Sequence, residues 1–410
     1  KQLMSKFWST SADDSSVSGD GADDESVGET KNDDGNNDGH DGDDDDDECP
    51  RTPDQTLHRM AQDQDETWRN ILQPHQVFAD VPLAPSRSKQ GDCTRVVCMS
   101  DTHGRHRTIC VPRGDVLIHG GDFSKTGEPG TVRDLSEYFG ELGGFQKIIV
   151  IAGNHDLTFQ PEYYETAWSR FHHRQKFDAE QTKQLLTNCT YLEDTSCTIY
   201  PDIKVYGSPW QPVFYDWAFN LPRGDPLRAV WSRIPDDTDI LVTHGPPLGR
   251  GDMCAHGAVV GCFDLMQEIQ DRVKPRLHIF GHIHEGYGTY YDGTTLYVNA
   301  ANLTYSYRPL HPCIVVDIPH NKNKPAMVVK PDCPVKTPQS LQQWFKQKGF
   351  DKLHSAMQSL SNTSEIPTGN DLFDGEEVYN SLCISLDLHR DAPSRMQMMR
   401  ALSMLYAESF

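Results

Sequence analysis

Five short segments place Asp, Asn or His directly after apolar, strand-forming runs, and this constrains the fold more than any other feature. In chain order they are Asp101-Thr102-His103, Gly121-Asp122, Gly153-Asn154-His155-Asp156, Thr243-His244-Gly245 and Gly281-His282-Ile283-His284. Singly each is a common accident; the ordered set is not. In an open α/β sheet, ligands collect in the crevice outside the carboxyl ends of the strands. A fold that brings these five strand ends to one crevice would converge their side chains. The flanking glycines suit the sharp backbone turns required there.

Strands are expected over residues 94–100, 115–119, 147–152, 204–207, 239–243, 277–280, 295–299 and 313–318. Helical spacing occupies 131–142, 161–172, 226–233 and 263–273. Alternation in the first half implies βαβ units and a mostly parallel sheet. The Asp292-Gly293 turn between apolar runs implies an added hairpin. The expectation is an α/β fold with two mixed β-sheets over 91–333. An acidic, largely disordered segment would occupy 1–90. A C-terminal extension, 334–410, would carry short amphipathic helices at Leu341, Trp344 and Phe345 and at Met398, Met399, Leu402, Leu405 and Tyr406. These helices would pack on the body or fray, or bind a protein partner; 355–387 reads as linker.

Net charge is −22, and the first fifty residues hold seventeen acidic side chains against three basic ones, leaving only −8 for the other 360. A mildly acidic body disfavours a nucleic-acid polymer or an anionic membrane as partner. Within the acidic stretch, Asp34, Asn36, Asp38, Gly39 and Asp45 imitate an EF-type calcium loop. The final glutamate and the flanking helices are missing, so a solvated tail is the expectation. No apolar run approaches the roughly 18 residues of a membrane span. The first ten residues lack a signal-peptide core. Eleven cysteines without a Cys-x-x-Cys pair read as free thiols, so an intracellular, cytoplasmic setting is expected.

The candidate ligands Asp101, His103, Asp122, Asn154, His244, His282 and His284 include no thiolate. They are too many for one tetrahedral zinc and suit two divalent ions of the manganese, iron or zinc kind. Two such ions about 3.5–4 Å apart clamp an in-line displacement at phosphorus.

The same motifs, as Ser100-Asp101-Thr102-His103, His119-Gly120-Gly121-Asp122-Phe123, Gly153-Asn154-His155-Asp156, Thr243-His244-Gly245-Pro246-Pro247 and Gly281-His282-Ile283-His284-Glu285-Gly286, resemble the calcineurin-like metallophosphoesterase superfamily. Within it they look like the metallophosphoesterase-domain-containing subfamily, related to class III cyclic-nucleotide phosphodiesterases. The resemblance covers the body alone. It implies two packed sheets flanked by helices, α-β-β-α, and a dimetal hydrolase of small phosphodiesters such as cyclic nucleotides. Asp101, His103 and His284 would hold one metal, manganese first among candidates. Asn154, His244 and His282 would hold the other, and Asp122 would bridge them. A bridging hydroxide would be the nucleophile, with Asp122 and His155 as catalytic residues, His155 facing the phosphate. A phosphomonoesterase, or a weakly active nucleotide-binding scaffold, remains open on the same fold. Phosphoprotein phosphatases would continue Gly121-Asp122 with an Asp-Arg pair, and purple acid phosphatases would carry Tyr at position 125. The chain has Phe123-Ser124-Lys125 instead.

Of the other histidines, His119 is a candidate for a supporting place behind the ligands. His106 reads as exposed beside Arg105 and Arg107. Tyr287, Tyr305, Tyr307 and Arg308 are candidate wall residues.

Overall fold

The computed structural model describes residues 53–330 apart from 86–88 and 90, then 338–359, a few positions between 379 and 388, and 392–407. The acidic stretch and its EF-type loop lie outside the described residues. Fourteen strands occur among those described: β1 (Cys93–Met99), β2 (Val116–His119), β3 (Lys147–Val150), β4 (Thr190–Tyr191), β5 (Thr195–Ile199), β6 (Ile203–Ser208), β7 (Gln211–Pro212), β8 (Asn220–Leu221), β9 (Ile240–Thr243), β10 (Leu277–Phe280), β11 (Gly288–Tyr291), β12 (Leu296–Asn299), β13 (Ile314–Pro319) and β14 (Met327–Val328). They form two six-stranded sheets, ordered β14-β13-β1-β2-β3-β4 and β11-β12-β10-β9-β6-β5, and a small β7-β8 pair. The centre of each large sheet is parallel, β1 with β2 and β2 with β3, and β6 with β9 and β9 with β10. Antiparallel strands β13 and β5 add to them, as the hairpin β11-β12 does.

Side-chain alternation turns these sheets into layers. Val96, Cys98, Val116, Ile118 and Ile149 point inward to meet Val205, Ile240, Val242, Ile279 and Val298 of the second sheet. The intervening Val97, Met99, Leu117 and Val150 pack outward beneath Val132, Leu135 and Phe139. Those three lie on the helix Pro129–Glu141, which starts with proline in its first turn and buries one face at helical spacing. On the far side Leu241, Phe280 and Tyr297 meet Leu227, Val230, Trp231, Leu265 and Ile269. The result is the expected α-β-β-α sandwich. The two sheets also touch at the carboxyl end of β1: Ser100 bridges to Ala301, and its N–H donates to Asn302 Oδ1 at 3.2 Å.

Structured chain begins earlier than residue 91. The helix Pro53–Gln62 and the turns after it bring Ala61 and Trp68 against Leu248, Val259, Phe263 and Met266. Ala79 N–H then donates to Tyr291 carbonyl at 2.8 Å, and Leu83 bridges to Val328. Of the apolar side chains described in residues 53–84, Ala61 and Trp68 are buried while Val77, Phe78 and Leu83 stay exposed. Trp68 is thus the main anchor, and periodicity does not report a single anchor. The C-terminal helices Pro338–Gln347, Asp351–Ser359 and Ala392–Ala407 share one apolar cluster with Leu310 of the body. The stretch read as linker joins it through Met357, Tyr379, Leu382, Cys383 and Leu386. The described cysteines are free thiols. No helix among the described residues is long and apolar enough to cross a membrane.

Trp68 seats on Gly249, whose φ is +77°; a Cβ there would lie 1.9 Å from the ring. Trp68→Ala is therefore expected to cost about 3–5 kcal/mol in urea unfolding, and Gly249→Ala should also destabilise. A change under about 0.5 kcal/mol for Trp68→Ala, the usual surface value, would show that the segment does not hold to the body.

Candidate metal centre

Loops leaving β1, β2, β3, β9 and β10 deliver the predicted side chains to one place. Three groups of ligating atoms each lie within 4.8 Å of one another: Asp101, His103 and His284; His103, Asp122 and His155; and Asp122, His244 and His282. The groups share members, so they form one continuous centre. Asp122 faces both sides of it. Its Oδ2 lies 3.6 Å from His103 Nε2, and its Oδ1 lies 3.4 Å from His244 Nε2. Asp101 Oδ1 sits 3.4 Å from His284 Nε2. Asn154 Oδ1 lies 3.0 Å from His244 Nε2. All seven candidate ligands are thus brought together.

The backbone shows what this convergence costs. Asp101, His103, Asp122 and His282 all have positive φ, between 42° and 67°. Such left-handed conformations are uncommon for non-glycine residues and cluster at functional sites. Hydrogen bonds between the ligand loops hold them there. Asp101 N–H donates to Gly121 carbonyl at 3.0 Å, and His103 N–H to Asp122 carbonyl at 2.9 Å. His282 N–H reaches both oxygens of Asp101 at 3.0 Å, and His155 N–H reaches Asp122 Oδ1 at 2.8 Å. Two glycines are required by close approach. A Cβ at Gly153 would lie 2.3 Å from Asp122 Oδ1, and one at Gly281 would lie 1.8 Å from Asp101 Oδ2.

Carbonyls orient several rings through Nδ1. His244 bonds Gly120 at 2.9 Å, His284 bonds Thr304 at 3.0 Å, and His155 bonds Lys125 at 2.8 Å. In each, Nε2 is left to face the centre, as a metal-supporting shell requires. Asp156 caps the turn, accepting from Ser124 N–H, Ser124 Oγ–H and Gly153 N–H. His119 does take a supporting place, bonding Thr102 Oγ1 at 3.0 Å and accepting from Gly121 N–H at 3.2 Å. His106 is fully buried against Asp134, not exposed. Arg107 pairs with Asp134 and Glu141 on the surface.

The electrostatics fit cations. Burial would raise the carboxyls of Asp101 and Asp122. Neighbouring imidazoles overcome it, with His284 holding Asp101 low and His244 and His155 holding Asp122 low. Burial would likewise push His244 down, yet the Asp122 carboxylate lifts it to about 9. Burial dominates at His103 and His282, keeping both rings neutral, the latter at about 3. Among the described residues, His103 has no hydrogen-bond partner on either ring nitrogen, and Asn154 Nδ2 has none either. Buried anions, neutral imidazoles and orphaned ring nitrogens form a donor set that divalent cations complete.

Aromatic side chains wall the centre. Trp217 lies against His155 with centroids 4.0 Å apart, and Phe214 meets His282 edge-on at 5.1 Å. Tyr307, also at positive φ, lies 5.0 Å from His103 and 5.2 Å from His284. Of the other candidate wall residues, Tyr287 is turned away, stacked on His311 and bonded to Pro312. Arg308 reaches toward Asn380. Phe214 and Trp217 were not anticipated. They lie in the run Val213-Phe214-Tyr215-Asp216-Trp217-Ala218-Phe219, whose composition does not tell a cleft wall from core.

Comparison with known proteins agrees with this geometry. The calcineurin-like phosphoesterase family profile matches residues 94–286. Metallophosphoesterase domain-containing protein 1 of Homo sapiens is 47% identical over 273 residues, 63% of this chain and 82% of that protein. Its Mus musculus counterpart matches equally. A UPF0046 protein of Caenorhabditis elegans is 39% identical over 263 residues, covering 62% of this chain and 92% of its own length. The chain belongs to the calcineurin-like metallophosphoesterase family. Membership together with the buried His and Asp clusters implies a metal-dependent phosphoester hydrolase.

Gly281→Ala is expected to push Asp101 aside and reduce bound metal on an otherwise folded chain. Gly130→Ala, where a Cβ meets nothing within 4 Å, is the control. Metal analysis beside circular dichroism checks both; full metal content in Gly281→Ala would show that the close approach is not needed.

Proposed function

We propose that this protein is a dimetal phosphodiesterase for small phosphodiesters, with cyclic nucleotides as the leading class. The observation that carries the reading is the Asp122 carboxylate, which presents one oxygen to His103 and the other to His244. In this reading Asp101, His103 and His284 hold one ion, Asn154, His244 and His282 hold the second, and Asp122 serves both. Donors of imidazole, carboxylate and amide suit manganese, iron or zinc, and the family resemblance puts manganese first. When bound, the two ions would supply Lewis-acid polarisation of the phosphoryl group and activation of an attacking water.

The protein's own groups do the rest. His155 is anchored through Nδ1 to Lys125, with Nε2 4.0 Å from Asp122 Oδ2. That nitrogen is placed to carry a proton to the leaving oxygen. Trp217 and Tyr307 supply flat apolar faces beside the centre, the surface a nucleobase would stack on. A mildly acidic body favours a small substrate over a nucleic-acid strand, and the free thiols accord with a reducing intracellular compartment.

Reconstituted with manganese, the protein should hydrolyse bis-nitrophenyl phosphate and a cyclic nucleotide faster than mono-nitrophenyl phosphate. The opposite order would make it a phosphomonoesterase, and no turnover would make it a binding scaffold. Asp122→Asn should weaken both metals and abolish turnover. His155→Ala should keep both metals but lose about 10²-fold or more in kcat. Equal metal loss in the two variants would place His155 among the ligands instead.

A further inference from the structure

Among the described residues, the C-terminal helices meet two loops beside the centre, and both loops serve the same ligands. The first follows β1 and carries Asp101 and His103 before turning through His106–Thr108. The helix Ala392–Ala407 packs on that turn, and Ser403 Oγ accepts from Cys110 N–H at 2.5 Å. The second is the loop 304–310. Thr304 carbonyl holds His284 Nδ1 at 3.0 Å, and Tyr307 packs against His103 and His284. This loop closes on itself: Thr304 N–H donates to Arg308 carbonyl at 2.8 Å, and Tyr307 N–H to Thr304 carbonyl at 2.8 Å.

Arg308 ties that closed loop to the extension. Its Nε donates to Ser306 Oγ at 3.1 Å, inside the loop, while Nη1 donates to Asn380 Oδ1 at 3.1 Å. The guanidinium also lies over the Tyr379 ring, 5.0 Å from its centroid. Tyr379 is buried in the C-terminal apolar cluster, and Leu310 enters the same cluster two residues past Arg308. Thus a chain of contacts runs from the helical core through Arg308 to Thr304, and from Thr304 to the ring of His284.

We infer that the C-terminal helical extension is a positioning element for the Asp101–His103–His284 half of the centre, and that Arg308 is the residue through which it acts. The inference rests on the reading of those three side chains as one metal position. Loosening Arg308 frees the Thr304 carbonyl to drift. His284 then loses the acceptor that fixes its ring, and outer-shell partners of this kind set metal affinity by about 10–100-fold. The half built from Asp122, His244 and His282 is oriented by Gly120 carbonyl instead, so its affinity should change far less.

The test uses the full chain stripped of metal and titrated with manganese, with bound metal counted by mass spectrometry. The wild type should take up two ions. Arg308→Ala and Asn380→Ala should each weaken one ion by about tenfold or more and leave the other near its wild-type affinity. The double variant should be no worse than Arg308→Ala, because the two act through one bond. Asn380→Asp, which keeps a charge-assisted acceptor for Arg308, should bind both ions as the wild type does. Two ions at wild-type affinity in Arg308→Ala would overturn the inference and leave the dimetal reading intact, as would additive deficits in the double variant. A wild-type chain that takes up fewer than two ions would overturn the dimetal reading and this inference with it.

Discussion

The buried Asp122 carboxylate, with an imidazole addressed to each of its oxygens, is the interaction on which the remainder depends. Taking a carboxylate out of water costs several kcal/mol even after relaxation, and Asp101 is buried beside it. Without cations, protons on His244 and His284 offset that charge, which is why both rings titrate high despite burial. Four left-handed residues add strain of about 1–3 kcal/mol each. Such a cluster persists only where the surrounding structure over-determines it. The short backbone bonds from Asp101 to Gly121 and from His103 to Asp122 do so by tying each strained residue to its neighbour's loop.

Two sheets are needed because neither completes the centre. Asp101, Asp122 and Asn154 leave the first sheet, whereas His244, His282 and His284 leave the second. The inner faces of Val, Ile and Cys fix the sheets face to face. The Ser100–Ala301 bridge then joins the sheets at their carboxyl ends. At that junction the chain has no room for side chains that do not ligate, so Gly153 and Gly281 sit where a methyl would strike a carboxylate oxygen. Specificity of the site is therefore written as much in what is missing from the glycines as in what the histidines carry.

The central strands and the seven converging side chains were legible in the sequence because each signal is local. An apolar run ends, a glycine turns, and a donor follows. Strands β4, β7, β8 and β14 were not, being two residues long with too little pattern to read. Neither was β5, whose Thr-Ser-Cys-Thr-Ile run lies at the sheet edge with only Ile199 buried. Phe214 and Trp217 were hidden because an aromatic in a loop looks the same whether it lines a cleft or fills a core. His106 was misjudged from its arginine neighbours, since burial against Asp134 comes from the helix Pro129–Glu141, distant in sequence. The segment 53–84 and the stretch read as linker share one cause. Their apolar residues follow no clear helical or strand spacing, and those that anchor them, Trp68 in the first and Tyr379 and Leu382 in the second, find partners in the finished fold.

Those late-recognised segments lie outside residues 94–286, the part that the family profile matches. They press on loops rather than on sheets. Trp68 seats on Gly249, in the loop that begins with His244. Ser403 bonds the loop that begins with Asp101, and Leu310 is drawn into the C-terminal cluster from the loop beside His284. Strand ends fix where a ligand loop starts, but nothing in a sheet fixes the loop's far side. A loop that must hold left-handed backbone gains from a second wall, and added segments can supply one without altering the core. That division lets the ligand set stay constant while the stiffness of each half of the centre is set from outside it.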